Sequence, residues 1–143
     1  MVVLLFPTEG SGLLSFIRSY ADACLIPIEE SNPFSGTWTL EDEKQIDIKQ
    51  NKNIISTNWE VDSANYLRSG ITKYKISGES RNRSATITYS SEFVPDKPQA
   101  LGLLSIPEKK EIECFAYIND EGKKLYIMEK EGKEPFTLNL TKI

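Results

Sequence analysis

The side chains best suited to chemistry in this sequence are aromatic rings and phenolic hydroxyls that recur at the spacing of β-strands. Trp59, Tyr74 and Tyr89 each fall on the apolar face of a segment in which apolar and polar residues alternate. Large rings mixed with a few hydroxyl donors are typical of pockets that bind small, largely apolar molecules. The same rings could also do no more than fill a protein core, and the pattern leaves both interpretations open.

Acid–base and metal chemistry have few candidate residues. The sequence contains no histidine, which removes the commonest general base and the commonest transition-metal ligand. By alternation, the ionisable side chains expected to face inward are Lys142, Glu129 and the tyrosine hydroxyls. We therefore predict no catalytic residue, no metal site and no cofactor. An enzyme, either an isomerase or a lyase, is the third hypothesis for function.

The charge distribution bears on the choice of a macromolecular partner. Lysine and arginine number 17 and the acids 21, for a net charge of -4. The two signs are interspersed, so we expect no nucleic-acid partner. One local basic cluster consists of Arg68, Lys73, Lys75, Arg81 and Arg83. An anionic partner on this cluster would make the chain a protein-binding or inhibitory module, which is the second hypothesis.

Residues 1–32 differ from the rest and are predicted to form a helical segment. Apolar residues recur at helical spacing over 11–24, Ser11 can cap the start, and Pro27 bars continuation. We expect the helix to dock on an end or wall of the domain through Leu13, Phe16, Ile17 and Tyr20. The stretch is too short and too polar to span a membrane. No basic residue precedes Arg18, so we expect a cytoplasmic protein, or a secreted one if the N-terminus is processed.

The two cysteines are Cys24 and Cys114. They are too far apart for a CxxC motif and too few for a disulfide framework. The sequence favours two buried thiols. A single bridge that ties the helical segment to the rest of the domain is the alternative.

From Ser35 onward the hydrophobic period changes to two residues, which is typical of half-buried strands. Short turns separate these segments and no helix lies between them, so the pairing should be antiparallel. The pattern gives about eight or nine strands, with Ala100–Ile106 the ambiguous one. A meander of this length removes its edges by closing on itself. We therefore predict an all-β fold: an antiparallel up-and-down barrel over 33–143, in a single domain spanning 1–143 that includes the N-terminal helix.

The head of the first strand carries a motif. Asn32-Pro33-Phe34 leads into Gly36-Thr37-Trp38, and this arrangement resembles the opening of the calycin superfamily, which includes lipocalins, fatty-acid-binding proteins and avidins. The resemblance implies that Trp38 packs across a closed end of the barrel, and that a basic residue near the end of the last strand covers its ring. Lys142 is the candidate, because alternation places it on the inward face.

The leading hypothesis for function places a site inside the barrel. In a closed sheet, the shared apolar face of the strands lines the lumen. The candidate lining residues are Trp59, Val61, Tyr74, Tyr89 and Phe93. We expect this lipocalin-like barrel to bind a small hydrophobic molecule at the end opposite Trp38.

Overall fold

Eight strands close into a barrel, and a helix packs against its outside. A computed structural model describes residues 9–29, 32–64, 69–95, 108–132 and 134–143. The elements are α1 (Glu9–Leu25), β1 (Gly36–Thr39), β2 (Gln45–Asn51), β3 (Ile54–Ala64), β4 (Ser69–Arg81), β5 (Ser84–Pro95), β6 (Glu108–Ile118), β7 (Lys124–Glu129) and β8 (Thr137–Lys142). Each strand is antiparallel to the next along the chain, and β8 pairs with β1. The predicted all-β up-and-down barrel is confirmed, and the ambiguous segment Ala100–Ile106 lies outside the described residues.

Alternation decides which side of each strand faces the lumen. In β2, Ile46 and Ile48 are buried, whereas Gln45 and Asp47 are exposed. Inward residues from all the strands meet in one core, whose larger members include Phe34, Trp38, Ile46, Ile48, Ile55, Ile76, Ile87, Ile118, Leu125, Ile127 and Leu140. Removal of this apolar surface from water is the main favourable contribution to folding.

The connections between strands define two ends of the barrel, which we call the base and the mouth. The base contains the β2–β3, β4–β5 and β6–β7 turns, the start of β1 and the end of β8. Each of its three turns contains a left-handed residue, with φ of 60° at Lys52, 56° at Asn82 and 75° at Gly122. Tight turns between antiparallel strands require such backbone conformations. The mouth contains the remaining connections.

The strands differ in length, which makes the wall of the barrel uneven. β3, β4, β5 and β6 have 11, 13, 12 and 11 residues, whereas β1, β2, β7 and β8 have 4, 7, 6 and 6. The long strands pair with short ones only near the base, at 54–56 of β3 and at 114–118 of β6. The four long strands therefore project beyond the mouth. We call them the tall wall, and the four short strands the short wall.

Helix α1 begins earlier than predicted, at Glu9. Ser11 therefore lies within the helix rather than at its start, where the prediction placed it. The helix ends at Leu25, and the Ile26 N–H donates to the Asp22 carbonyl at 3.0 Å, which completes the last turn. Within the described part of the chain, no helix combines the length and the apolar character that crossing a bilayer requires.

The helix docks on the outer surface of the wall through aromatic contacts with β6. The Phe16 ring lies 5.0 Å from the Tyr117 ring in an edge-on arrangement, and the Tyr20 ring lies 4.8 Å from that of Phe115. Ala23 is fully buried one turn further along. Aromatic pairs in these geometries add to the stabilisation that burial alone provides.

The prediction that Ile17 belongs to the docked face is wrong. Its side chain is 46% exposed, because the docked face is centred on Phe16, Tyr20 and Ala23, and the next residue along from Phe16 turns away from the barrel. The Leu13 side chain lies outside the described part of the structure.

The β4–β5 turn holds the C-terminal end of α1. Asn82 Nδ2 donates to the Cys24 carbonyl at 2.7 Å, and the Arg83 N–H donates to the Ala23 carbonyl at 3.0 Å. These bonds satisfy carbonyls that a helix end leaves unpaired. The Arg83 guanidinium also lies 3.2 Å from the Asp120 carboxylate. One member of the predicted basic cluster therefore fixes the helix to the barrel.

Both cysteines are free thiols. Cys114 is fully buried and faces the lumen from β6. Cys24 is only half-buried at the end of α1. The expectation of two unpaired thiols is therefore met, but burial holds for one of them.

Candidate ligand site at the barrel mouth

The base of the barrel is closed around Trp38. The indole is fully buried, and its Nε1–H donates to the Phe34 carbonyl at 2.9 Å. Lys142 faces Trp38 in the β1–β8 pair, and its Nζ lies 5.4 Å from the centroid of the indole. An ammonium interacts with the face of a ring at up to ~6 Å. The structure therefore brings together the two residues that the resemblance to calycins singles out.

The backbone conformation and surroundings of Gly36 explain why the motif Gly36-Thr37-Trp38 begins with glycine. Its φ is +140°, a conformation that side chains with a Cβ rarely adopt. A Cβ at this position would also lie 2.8 Å from Cε of Lys142. The glycine therefore leaves room for the aliphatic stem of Lys142 to reach the indole of Trp38.

Gln50 seals the base with hydrogen bonds. Its Oε1 accepts from the Phe34 N–H at 2.9 Å, and its Nε2 donates to the Lys52 carbonyl at 2.9 Å and to Ser80 Oγ at 3.0 Å. One amide thus connects the approach to β1, the β2–β3 turn and β4. At the base, the rings of Phe34 and Trp38 are buried, and this end of the barrel is packed and hydrogen-bonded.

Near the mouth, four half-buried rings form a row that we call the aromatic floor. Trp59 stacks on Tyr74 at 5.1 Å, Tyr74 lies 6.2 Å from Tyr89, and Tyr89 stacks on Phe136 at 4.7 Å. The first three rings come from β3, β4 and β5. Phe136 comes from just before β8, which is not a neighbour of β5, so the Tyr89–Phe136 contact crosses the lumen. The floor therefore separates the packed core from the mouth.

Phe136 is the residue of this floor that the sequence-based site omits. Its alternation with Leu138 and Leu140 places it on the inward face of the last strand. That signal was present in the sequence. What the sequence does not show is that the ring of Phe136, just before β8, reaches across to that of Tyr89 on β5, because this depends on the width of the closed barrel.

The other two predicted lining residues lie one level above the floor. On the tall wall, Val61 of β3 pairs with Thr72 of β4, which pairs with Phe93 of β5. All three face the same side as the floor residues and are partly exposed. The five predicted residues thus form two levels of one surface: Trp59, Tyr74 and Tyr89 in the floor, and Val61 and Phe93 on the wall above it.

The Tyr89 hydroxyl of the floor is a weaker acid than a free tyrosine. Burial, with smaller contributions from the neighbouring Tyr74 and Cys114, raises the pKa of Tyr89 to about 12. Burial likewise raises the pKa of the Cys114 thiol to about 11, with Glu129 and Glu113 contributing. At neutral pH both groups remain protonated, so they can donate hydrogen bonds but do not act as bases.

Glu129, an inward carboxylate, has a structural partner. Its Oε1 accepts from the Phe136 N–H at 3.0 Å, and its own N–H donates to the Phe136 carbonyl at 2.8 Å. These bonds hold Phe136 in the floor. Two of the ionisable groups predicted to face inward therefore have structural roles. Lys142 covers Trp38 at the base, and Glu129 holds Phe136 in the floor.

A window opens in the wall beside Trp59. β2 and β3 part after Ser56, and a cavity of about 440 Å³ lies between them. Its lining includes Asp47, Lys49, Asn58 and Trp59. The Thr57 hydroxyl donates to the Asp47 carbonyl at 2.6 Å across the gap. The window reaches the edge of the aromatic floor from the side.

Acidic side chains lie beside two of the remaining members of the basic cluster. Lys73 and Lys75 are on the outer face of the tall wall, where a shallow 380 Å³ groove also contains Glu60, Glu92 and Glu111. Arg81 is exposed near the base. Arg68 lies outside the described residues. This outer surface is therefore of mixed charge.

Comparisons with known proteins do not assign this chain to a family. No family model matches the chain, and neither a curated protein nor a solved structure matches it. Among the residues that the structure describes, no three histidine, cysteine, aspartate or glutamate side chains are grouped to hold a metal ion. The mouth of the barrel, with its half-buried rings, is therefore the feature from which we infer a function.

Proposed function

We propose that this protein binds a small, largely apolar molecule at the mouth of the barrel, on the aromatic floor and against the inner face of the tall wall. The observation that carries the proposal is the row of half-buried rings, Trp59, Tyr74, Tyr89 and Phe136, on a concave inward surface. Apolar surface in a concavity with a few polar groups is the usual form of a small-molecule site.

The depth of the proposed site follows from the packing beneath it. Below the floor, the inward side chains Ile55, Ile76, Ile87 and Ile127 are each at most 3% exposed. The contact between Tyr89 and Phe136 bridges the lumen above them. A ligand therefore lies on the floor rather than within the core. This differs from a deep lumen site and limits the ligand to a small one.

The chemistry of the surface favours an uncharged ligand. The Tyr89 hydroxyl is uncharged over the physiological range, and burial, which raises its pKa from 10.0 to about 12, moves its ionisation further from that range. The nearest inward carboxylate, Glu129, is held by the Phe136 N–H. An apolar body with one or two hydrogen-bonding groups would match the rings and the hydroxyls of Tyr74 and Tyr89.

Titration with the uncharged fluorophore N-phenyl-1-naphthylamine tests the proposal. Trp59 emission should transfer energy to the bound probe, and Trp59→Phe should abolish most of the transfer while Trp38 continues to report the folded base. Val61→Glu places a charge on the inward wall and should weaken binding by about tenfold or more, which is ~1.4 kcal/mol.

Thr86→Glu is the matched control, because Thr86 is exposed on the outward side of β5 and lies near the base, away from the floor. It adds the same charge and should leave the affinity for the probe unchanged. Equal affinities for wild type, Val61→Glu and Thr86→Glu would place the probe elsewhere, for example on the exposed Leu14 and Leu25 of α1. That result, or the absence of saturable binding, would refute the proposed function.

A further inference from the structure

Over more than half of its length, β3 has no partner strand among the described residues on the side that faces β2. β3 pairs with β4 from Ile54 to Ala64, but with β2 only at Ile54, Ile55 and Ser56. Within the described ranges, β3 beyond residue 56 therefore has a partner strand on its β4 side alone. A strand edge of this kind presents backbone N–H and C=O groups that another chain can pair with.

The register identifies the backbone groups that point into the gap. Asn51 and Ile54 flank the two-residue β2–β3 turn as a hydrogen-bonded pair, and such pairs recur at every second residue. Asn58, Glu60 and Asp62 therefore direct their amides to the β2 side. In a continued ladder, Asn58 would face Asp47. The Asp47 carbonyl instead accepts from the Thr57 hydroxyl, which ends the ladder at this point.

Charge indicates what the edge would accept. On the outer face of the tall wall, one row crosses all four strands with alternating sign: Glu60 pairs with Lys73, Lys73 with Glu92, and Glu92 with Lys109. The row ends at the free edge on the exposed carboxylate of Glu60, and Asp62 is exposed two residues further along. Opposite charges directly across a strand pair are stabilising, so the vacant position beside Glu60 favours a cation.

We infer that the β3 edge over 58–62 captures an extended peptide of a partner protein that alternates basic and apolar residues, and that this peptide adds to the sheet as an antiparallel strand. Its basic side chains lie outward beside Glu60 and Asp62. Its apolar side chains lie inward beside Trp59 and Val61. Backbone hydrogen bonds supply affinity in this mode of recognition, and alternate side chains supply specificity.

The same acids disfavour a second copy of this chain as the occupant. Antiparallel pairing of β3 with its own copy would bring Glu60 and Asp62 against one another, and like charges directly opposite are destabilising. Exposed charges on an edge are also a common protection against self-association. If the acids serve only to protect the edge from pairing, no peptide will bind, and the test below includes that result.

A capped six-residue peptide of alternating lysine and valine is the probe, with a glutamate–valine peptide as its counterpart. Isothermal titration calorimetry should show binding of the lysine peptide alone. The double variant Glu60→Lys, Asp62→Lys should weaken it by about tenfold or more and should gain affinity for the glutamate peptide. Glu79→Lys with Glu121→Lys, exposed at the base, changes the net charge equally and should leave binding unaltered.

Ester substitution separates strand pairing from attraction between charges. In the inferred register the lysine amides face β3 and the valine amides face away. Replacing the lysine N–H groups by ester oxygens adds no bulk and should weaken binding by about tenfold, whereas the same change at the valines should have little effect. In the complex, hydrogen exchange at the amides of Glu60 and Asp62 should slow.

Three results would overturn the inference: no binding of the lysine peptide, affinity that is insensitive to the ester position, or affinity that is equal for the double variant and its control. A concentration-dependent dimer that protects the same amides would assign the edge to a second copy instead. None of these results bears on the fluorophore site, which Val61→Glu tests separately.

Discussion

The base and the mouth of this barrel are built by the same alternation of residues, but they differ in what faces the inward side chains. At the base all eight strands are present, so each inward residue meets others across the lumen. Trp38 is fully buried there, and its indole N–H has a backbone partner. At the mouth only the four long strands continue. Trp59, with the same inward parity, remains half-buried.

This contrast shows that burial is decided by the opposite wall rather than by residue type. Both tryptophans occupy inward positions on strands, and both have a neighbour within interaction distance: Lys142 for Trp38 and Tyr74 for Trp59. Only the first has a surrounding core. A core therefore forms where the short wall closes the barrel, and a surface capable of binding forms where it ends.

The largest expected effect comes from removing the two indoles in turn. Trp38→Ala should lower the free energy of unfolding by ~3–5 kcal/mol, because it empties a packed site and leaves the Phe34 carbonyl without its donor. Trp59→Ala should cost only ~1–2 kcal/mol, since the ring is partly exposed and its neighbours can relax. Urea denaturation of both variants measures the difference. Equal losses would mean that the mouth is packed as tightly as the base.

A glycine comparison isolates the contact at the base. Gly36→Ala should cost ~2–3 kcal/mol, because the new Cβ meets the Lys142 stem on a strained backbone. Gly122→Ala also has a positive φ, but nothing lies within 4 Å of its Cβ position, so only the backbone strain of ~1 kcal/mol applies. Thermal unfolding of both variants should separate the two values, and identical shifts would remove Lys142 from the explanation.

A smaller effect is expected from the ammonium of Lys142. Lys142→Met keeps an unbranched stem over the indole and removes the charge, so the loss should be ~0.5–2 kcal/mol. Lys124→Met, an exposed lysine that donates to Thr141 Oγ1, is the control and should change stability by less than ~0.5 kcal/mol. The near-ultraviolet circular dichroism of the indole should change in the first variant alone.

The smallest effect concerns the mouth at alkaline pH. The pKa of Tyr89 is about 12 in the folded protein and 10.0 in a free tyrosine. The unfolded state therefore loses this proton first, and stability falls between pH 10 and 12 while remaining complete below pH 10. Tyr89→Phe should remove that part of the decline, which we expect to be under ~1 kcal/mol near pH 11 for a partly exposed ring. A pH-stability profile that is identical in the two proteins would contradict the cause assigned to the raised pKa.

Much of the fold was predictable because side-chain parity is a local property. Alternation correctly assigned the antiparallel up-and-down barrel and the inward position of Trp38, Ile55, Cys114 and Leu140. The helix was also predictable from its period, and Phe16 and Tyr20 of the predicted face do contact β6, but Ile17 does not. Ile17 and Phe16 are both apolar, so the sequence does not distinguish them. The helix face that docks is decided by its contacts with the rings of Phe115 and Tyr117 on β6.

Local patterns in the chain are enough to assign the order of the strands, the residues of each strand that face inward, and the motif that joins Gly36 to Trp38. These depend on a period of two and on turn chemistry, both of which act between neighbours in the chain. Three features appear only when the sheet closes: the walls differ in height, Phe136 meets Tyr89 across the lumen, and β3 parts from β2 after Ser56. These features depend on how eight strands of unequal length close into one sheet, and no local pattern in the chain encodes that closure.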